Sequence, residues 1–138
     1  MSLRETLRDD RGGTAIEFVL LTPIMFFMIF GAVQFAMYSF AQDVAKAAAQ
    51  AGAREARREA EGSPDTWQAS ARAKANDYVA QLAGPGLLQQ HDVQLSQPSP
   101  DVVRVTVVGY APAILPGTEM RVTASSEGPV ERFVPDGG

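Results

Sequence analysis

Residues 18–41 read FVLLTPIMFFMIFGAVQFAMYSFA, a run of 24 residues without a charge between Glu17 and Asp43. As a helix rising about 1.5 Å per residue it covers roughly 36 Å, against about 30 Å of bilayer hydrocarbon. Twelve of its positions are Leu, Ile, Val or Phe, each worth roughly −0.3 to −0.6 kcal/mol at a bilayer centre, and Pro23 and Gln34 offset only part of that total. A soluble core helix apolar on every face would need a thick shell of protein, which the other 114 of the 138 residues hardly supply. A cleaved secretory signal is the nearest rival, since Ala45-Lys46-Ala47 resembles a cleavage triplet. Signal cores, however, run to about 7–15 residues behind a basic cluster, whereas this run is longer and follows an acid. The sequence therefore predicts a membrane-spanning helix. Charge bias leaves its orientation open, because Arg4, Arg8 and Arg11 on one flank nearly balance Lys46, Arg54, Arg57 and Arg58 on the other.

Several function classes recede on composition. The formal charge is −4 and the basic residues are interleaved with acids, which gives no footprint for nucleic acid. Without cysteine there is no disulfide framework, thiolate metal site or Cys nucleophile, and the single histidine, His91, weakens imidazole-based metal and triad chemistry. Metalloprotease, nucleophile-elbow, P-loop, dinucleotide and EF-hand motifs are absent from the sequence. His91 and Asp92 adjoin in sequence, but a catalytic base is oriented by groups brought together in space, so the pair reads as surface chemistry. No enzyme, cofactor, metal or small-molecule substrate is expected.

The informative polar residue is Glu17, placed where the apolar helix begins after Arg11-Gly12-Gly13-Thr14-Ala15-Ile16. A carboxylate inside a membrane helix is costly unless it pairs or snorkels. At the headgroups, near the positive end of the helix dipole, it needs no further account. From the residues alone both readings stand.

Gly12 followed five residues later by Glu17, then Phe18 and an apolar run, resembles the processing motif of type IV prepilins. The likeness sharpens over Glu17-Phe18-Val19-Leu20-Leu21-Thr22-Pro23, Gly31-Ala32-Val33-Gln34-Phe35 and the exit Ala51-Gly52-Ala53-Arg54. Over about residues 12–54 the chain resembles the TadE-like family, pseudopilins or minor pilins of the tight-adherence (Flp, type IVc) pilus system. This resemblance implies a cytoplasmic leader of residues 1–12, cleavage between Gly12 and Gly13 by a membrane prepilin peptidase, and an extracytoplasmic C-terminal head. It implies that Glu17, with Phe18, is recognised during processing or assembly and that Glu17 pairs with the freed amine of a neighbour's Gly13. Implied partners are the membrane, the peptidase, other pilins or pseudopilins, and platform proteins with their ATPase. The sequence departs from the family in carrying neutral Gln34 where a second acid is common, and Glu5, Asp9 and Asp10 balance the leader's arginines.

No stop signal follows the span until Gly62-Ser63-Pro64, and residues 43–61 are rich in Ala, Arg and Glu, so the helix is expected to continue outward. From Thr14 to Glu61 it would measure roughly 70 Å. Ala41, Ala45, Ala49 and Ala53 recur every fourth residue beside Ala48, Gly52, Ala56 and Ala60, forming a seam that permits close helix approach. With Pro23 and Gly31, the residues Ala45, Ala49, Gly52 and Ala53 are candidates for helix packing between subunits. An alanine-rich helix with a solvated Arg/Glu face is the plain alternative.

A second helix is expected from Ser63 as N-cap and Pro64 as first residue, with Trp67, Ala71, Ala75, Tyr78 and Leu82 on its apolar stripe, until Gly84-Pro85-Gly86. Its aromatics read as core. Alternation then predicts three antiparallel strands around Val93/Leu95, Val103/Val105/Val107 and Met120/Val122/Ala124, joined at Pro98-Ser99-Pro100-Asp101 and across residues 112–118. The fold class is α+β, organised as a leader (1–12), a long helix (13–61) with the span at 18–41, a small head (62–127) and a flexible tail (128–138). Beside the pilus subunit, a single-pass anchored module whose head binds an unrelated partner remains the other functional reading.

Overall fold

The computed structural model describes residues 3–132 and 134, with side chains from Gly12 onward. A single helix, α1, occupies Leu3–Gly62. It contains Pro23, whose missing N–H leaves the Val19 carbonyl without its usual donor. One residue earlier, Thr22 Oγ1 donates to the Phe18 carbonyl at 2.6 Å, the kind of side-chain support that lets apolar helices carry proline. The helix also passes through Gly12 and Gly13, so its regular backbone begins well before residue 13, the start expected from sequence.

Contacts divide the chain into two compact units, residues 1–35 and 36–138. In the first, every large apolar side chain from Ile16 to Phe35 is exposed, Phe27 at 73%. Phe26 and Phe30, one turn apart, stack with ring centroids 6.0 Å apart. A helix of this length and apolarity, its apolar window unburied among the described residues, is compatible with single-pass anchoring in a membrane.

The second unit holds the C-terminal part of α1, from Ala36, a helix α2 at Trp67–Ala83, and strands β1 at Gln89–Ser99, β2 at Val102–Ala111 and β3 at Met120–Pro129. The strands form one antiparallel sheet in the order β1-β2-β3, as the alternation predicts. Val93, Val103, Val105, Val107, Val122 and Ala124 lie on its buried face, while Arg104, Thr106 and Tyr110 point the other way, which is the period-2 pattern of a sheet covered on one side. Each buried valine contributes about 1.5–3 kcal/mol by leaving water. β2 and β3 pair without interruption from Val102↔Pro129 to Ala111↔Met120. The β1–β2 ladder has irregularities between Gln89 and Asp92 and between Ser96 and Ser99. Gln90 sits in the first of these with φ at 49°, the left-handed conformation that a bulge can impose on a residue.

Both helices cover the same core. α2 contributes Trp67, Ala71, Ala75, Val79 and Ala83, so its buried stripe runs strictly every fourth residue. The expected stripe diverges in its second half: Tyr78 is only partly buried and Leu82 is exposed. Small residues keep that face flat enough for α1 to approach, and the i+4 row extends through Val79 and Ala83 instead of drifting to 78 and 82. The start of α2 also differs from expectation. Thr66 and Trp67 both donate to the Ser63 carbonyl, at 3.1 and 3.0 Å, so Pro64-Asp65-Thr66 form a turn and regular helix begins at Trp67. Thr66 then occupies the cap position without a side-chain capping bond, in place of Ser63. At the other end Gly84, with φ at 57°, donates to the Ala80 carbonyl and stops the helix where the glycine predicted.

Residues 128–130 belong to the head in part: Gly128 and Pro129 complete β3, and the Val130 N–H donates to the Asp101 carbonyl at 2.8 Å. Positions 133 and 135–138 of the expected tail, and residues 1 and 2 of the expected leader, lie outside the described residues.

Candidate functional site

The sequence-derived candidates separate into two groups along α1. Gly12, Gly13, Glu17, Phe18, Pro23 and Gly31 are all exposed in the first unit. A side chain added at Gly12, Gly13 or Gly31 would meet nothing within 4 Å among the described residues. Gly13 and Glu17 stand four residues apart on one helix, which places them on a common face one turn apart. Glu17 makes no ion pair among the described residues. Phe18, at 70% exposure, follows it directly and begins the bare apolar surface. A carboxylate at the rim of such a surface has a strong electrostatic reason to meet a cation once water is excluded.

The second group is enclosed. Ala45 and Ala49 are fully buried and Ala53 nearly so, packed with Trp67, Ala71, Ala75 and the valines of β2. At Gly52 a Cβ would stand 3.1 Å from the Ala71 carbonyl oxygen and from Val105 Cγ1, and 3.2 Å from the Ala75 Cβ. The absence of a side chain there sets how closely α1, α2 and β2 converge. The close approach permitted by the small-residue seam is thus taken up inside the chain, against its own second helix and sheet.

Elsewhere the polar groups are surface pairs. His91 Nε2 lies 3.2 Å from Asn76 Oδ1, and Asp92 lies 3.8 Å from Arg72, so His91 and Asp92 engage different residues of α2. On the open sheet face Arg104 meets Glu127 at 2.6 Å and Thr106 meets Ser125 at 2.8 Å. Among the described residues no group of three or more His, Asp or Glu side chains is placed to hold a metal ion.

Residues 12–54 match the family model described as TadE-like protein. This segment is TadE-like. It comprises 43 of the 138 residues and runs from Gly12, across the bare apolar surface, to the last turns of the buried seam. No curated protein and no solved structure matches the chain. TadE-like proteins form a structural family associated with the tight-adherence pilus. Both the exposed Gly13–Glu17 face and most of the seam that organises the head fall within this TadE-like segment. Two features of the head escaped sequence reasoning. Arg57 is folded over Gly128, whose Cβ would stand 2.8 Å from Arg57 Cδ, and neither residue type signals such a contact. The loop at residues 112–118 exposes Ile114 and Leu115, and the apolar pair between two prolines was the available signal.

Proposed function

We propose that the protein is a minor pilin or pseudopilin, a structural subunit in assembly of a tight-adherence, type IVc pilus used for surface attachment. The observation that carries this reading is the common helix face of Gly13 and Glu17 at the rim of an uncovered apolar helix, within the TadE-like segment. In this reading the leader is cytoplasmic, the span lies in the cytoplasmic membrane and the head is extracytoplasmic. A prepilin peptidase cuts between Gly12 and Gly13. Two adjacent glycines each cost a helix about 1 kcal/mol relative to alanine, so this is where α1 unwinds most readily to present an extended backbone to a protease. Cleavage turns the Gly13 amide into an ammonium group. Glu17 then supplies the counter-charge, to a neighbour's Gly13 in the assembled bundle, and an unpaired charge in that apolar setting penalises any other register. Pilins, platform proteins and their ATPase are the remaining partners.

Determination of the N-terminus and intact mass of the membrane-bound protein, from cells with and without the prepilin peptidase, tests the proposal. A mature chain beginning at Gly13 only when the peptidase is present supports it. A chain that keeps its leader in both strains and crosslinks to no pilus component would assign it instead to anchored modules unrelated to pili.

A further inference from the structure

The head carries six exposed large hydrophobic side chains among its described residues: Phe40, Leu82, Tyr110, Ile114, Leu115 and Val134. Five of them share one end. Two hydrogen bonds fix the direction of α1 against β3: Gln42 Nε2 donates to the Thr123 carbonyl and the Glu131 N–H donates to the Arg57 carbonyl, both at 3.0 Å. From 42 to 57 along the helix and from 123 to 131 along the chain are comparable distances, roughly 22 and 26 Å, so the two elements run parallel. The start of β3 at Met120 therefore lies at the end of the head where α1 enters it from Ala36. Ala111 pairs with Met120 and Gln89 with Tyr110, which brings the 112–118 loop and the start of β1 to that same end. The last turn of α2, with Leu82, precedes Gly84-Pro85-Gly86 and this start of β1.

We infer that this end of the head is a lipid-contacting surface, with Ile114 and Leu115 inserted at the headgroup boundary and Tyr110 and Phe40 beside them. The inference rests on the reading of residues 18–41 as a membrane span. The occupant is argued from continuity: the uncharged apolar run ends at Ala41 within this unit, so a bilayer holding the span also reaches the level of Phe40. Apolar residues flanked by an exposed aromatic suit the boundary between chains and headgroups. Exposures of 37% for Ile114 and 43% for Leu115 leave each with surface to bury there. Glu119 and Arg121, both exposed beside the loop, carry opposite charges. Insertion is consequently apolar in origin, and neutral phosphatidylcholine suffices.

The chain has no cysteine, so single labels are placed without background. The full chain, one copy per phosphatidylcholine nanodisc, carries a fluorophore on Leu115→Cys or, separately, Ile114→Cys. References are Phe30→Cys in the span and Asp65→Cys in the turn between the helices. Nitroxide lipids quench from either the headgroup boundary or the chain centre. The expected result is boundary quenching at 114 and 115, centre quenching at 30 and no quenching at 65. Quenching at 30 with 114 and 115 as unquenched as 65 overturns the inference alone. Loss of quenching at 30 overturns the span and the inference together. Shielding of 114 and 115 that lipid nitroxides do not report, and that appears only when copies share a disc, assigns the surface to a second copy and also overturns it.

Discussion

Gly128 lies beneath the side chain of Arg57, so close that a Cβ on the glycine would stand 2.8 Å from both Cδ and Nη1 of the arginine. Arg57 Nε is buried there without a hydrogen-bond partner among the described residues, while the Arg57 carbonyl accepts from the Glu131 N–H. The last turns of α1 are thus closed against the end of β3 by packing on a residue that has no side chain.

Gly128→Ala is accordingly expected to destabilise the head by about 1 kcal/mol, at the low end for overpacking because the guanidinium can partly withdraw. A glycine-to-alanine change in open space acts in the opposite sense, since it stiffens the unfolded chain. In the Arg57→Ala background the penalty should vanish. Thermal unfolding of the four proteins of the double-mutant cycle measures this, about 4–8 °C per kcal/mol for a domain of this size. Additive effects would show that the two residues do not constrain each other.

Gly52→Leu should be more severe. Its side chain would enter the space between the Ala71 carbonyl and Val105, where even a Cβ has only 3.1 Å. Separation of α1 from α2 and β2 is expected to cost roughly 1–3 kcal/mol or more, despite the better helix propensity of leucine. The same substitution at Gly62, where an added Cβ meets nothing within 4 Å, is the control. Equal melting temperatures for the two variants would contradict the packing described.

The Arg104–Glu127 pair is short but half exposed on the open sheet face, with side-chain exposures of 44% and 53%. Glu127→Gln should therefore cost no more than about 1 kcal/mol in low salt, and less at high ionic strength, where exposed charges are screened. Urea unfolding at two salt concentrations measures both the size and the trend. A larger, salt-insensitive loss would place the pair among the structural contacts of the head.

Glu17 should behave in the reverse manner. It is exposed and belongs to the unit of residues 1–35. Glu17→Ala is expected to leave thermal unfolding of the head within about 0.5 kcal/mol of the parent. In the proposed function the same change lowers recovery of the subunit in sheared pili. Normal recovery would remove the carboxylate from assembly.

Sequence periodicity made most of the fold legible. The apolar run, the three alternating strands and the glycine stop at residue 84 all rely on local rules, and the structure follows them. The start of α2 was less legible because Ser63 and Pro64 suit a turn as well as a helix beginning. The destination of the alanine seam could not be read at all. Small residues at every fourth position favour close approach to any helix, and nothing in Ala45 or Ala49 says whether the neighbour belongs to the same chain. Burial against Trp67, Ala71 and Ala75 supplies that information only once the chain has turned back at residues 63–66. Gly12, Gly13 and Glu17 were legible as a motif, whereas their shared exposed face required a helix that starts before them.

The seam also determines where the protein can be cut. Ala41, Val44, Ala45, Ala48, Ala49, Ala53 and Ala56 form one wall of the core, and all precede Gly62. A recombinant fragment beginning after Gly62 would strip this wall from the valines of β2 and leave α2 alone to cover them, whereas one beginning near Ala36 keeps the wall. The same logic applies to chimaeras: a head grafted onto another anchoring helix must bring residues 36–62 with it, because those turns belong as much to the graft as to the stem.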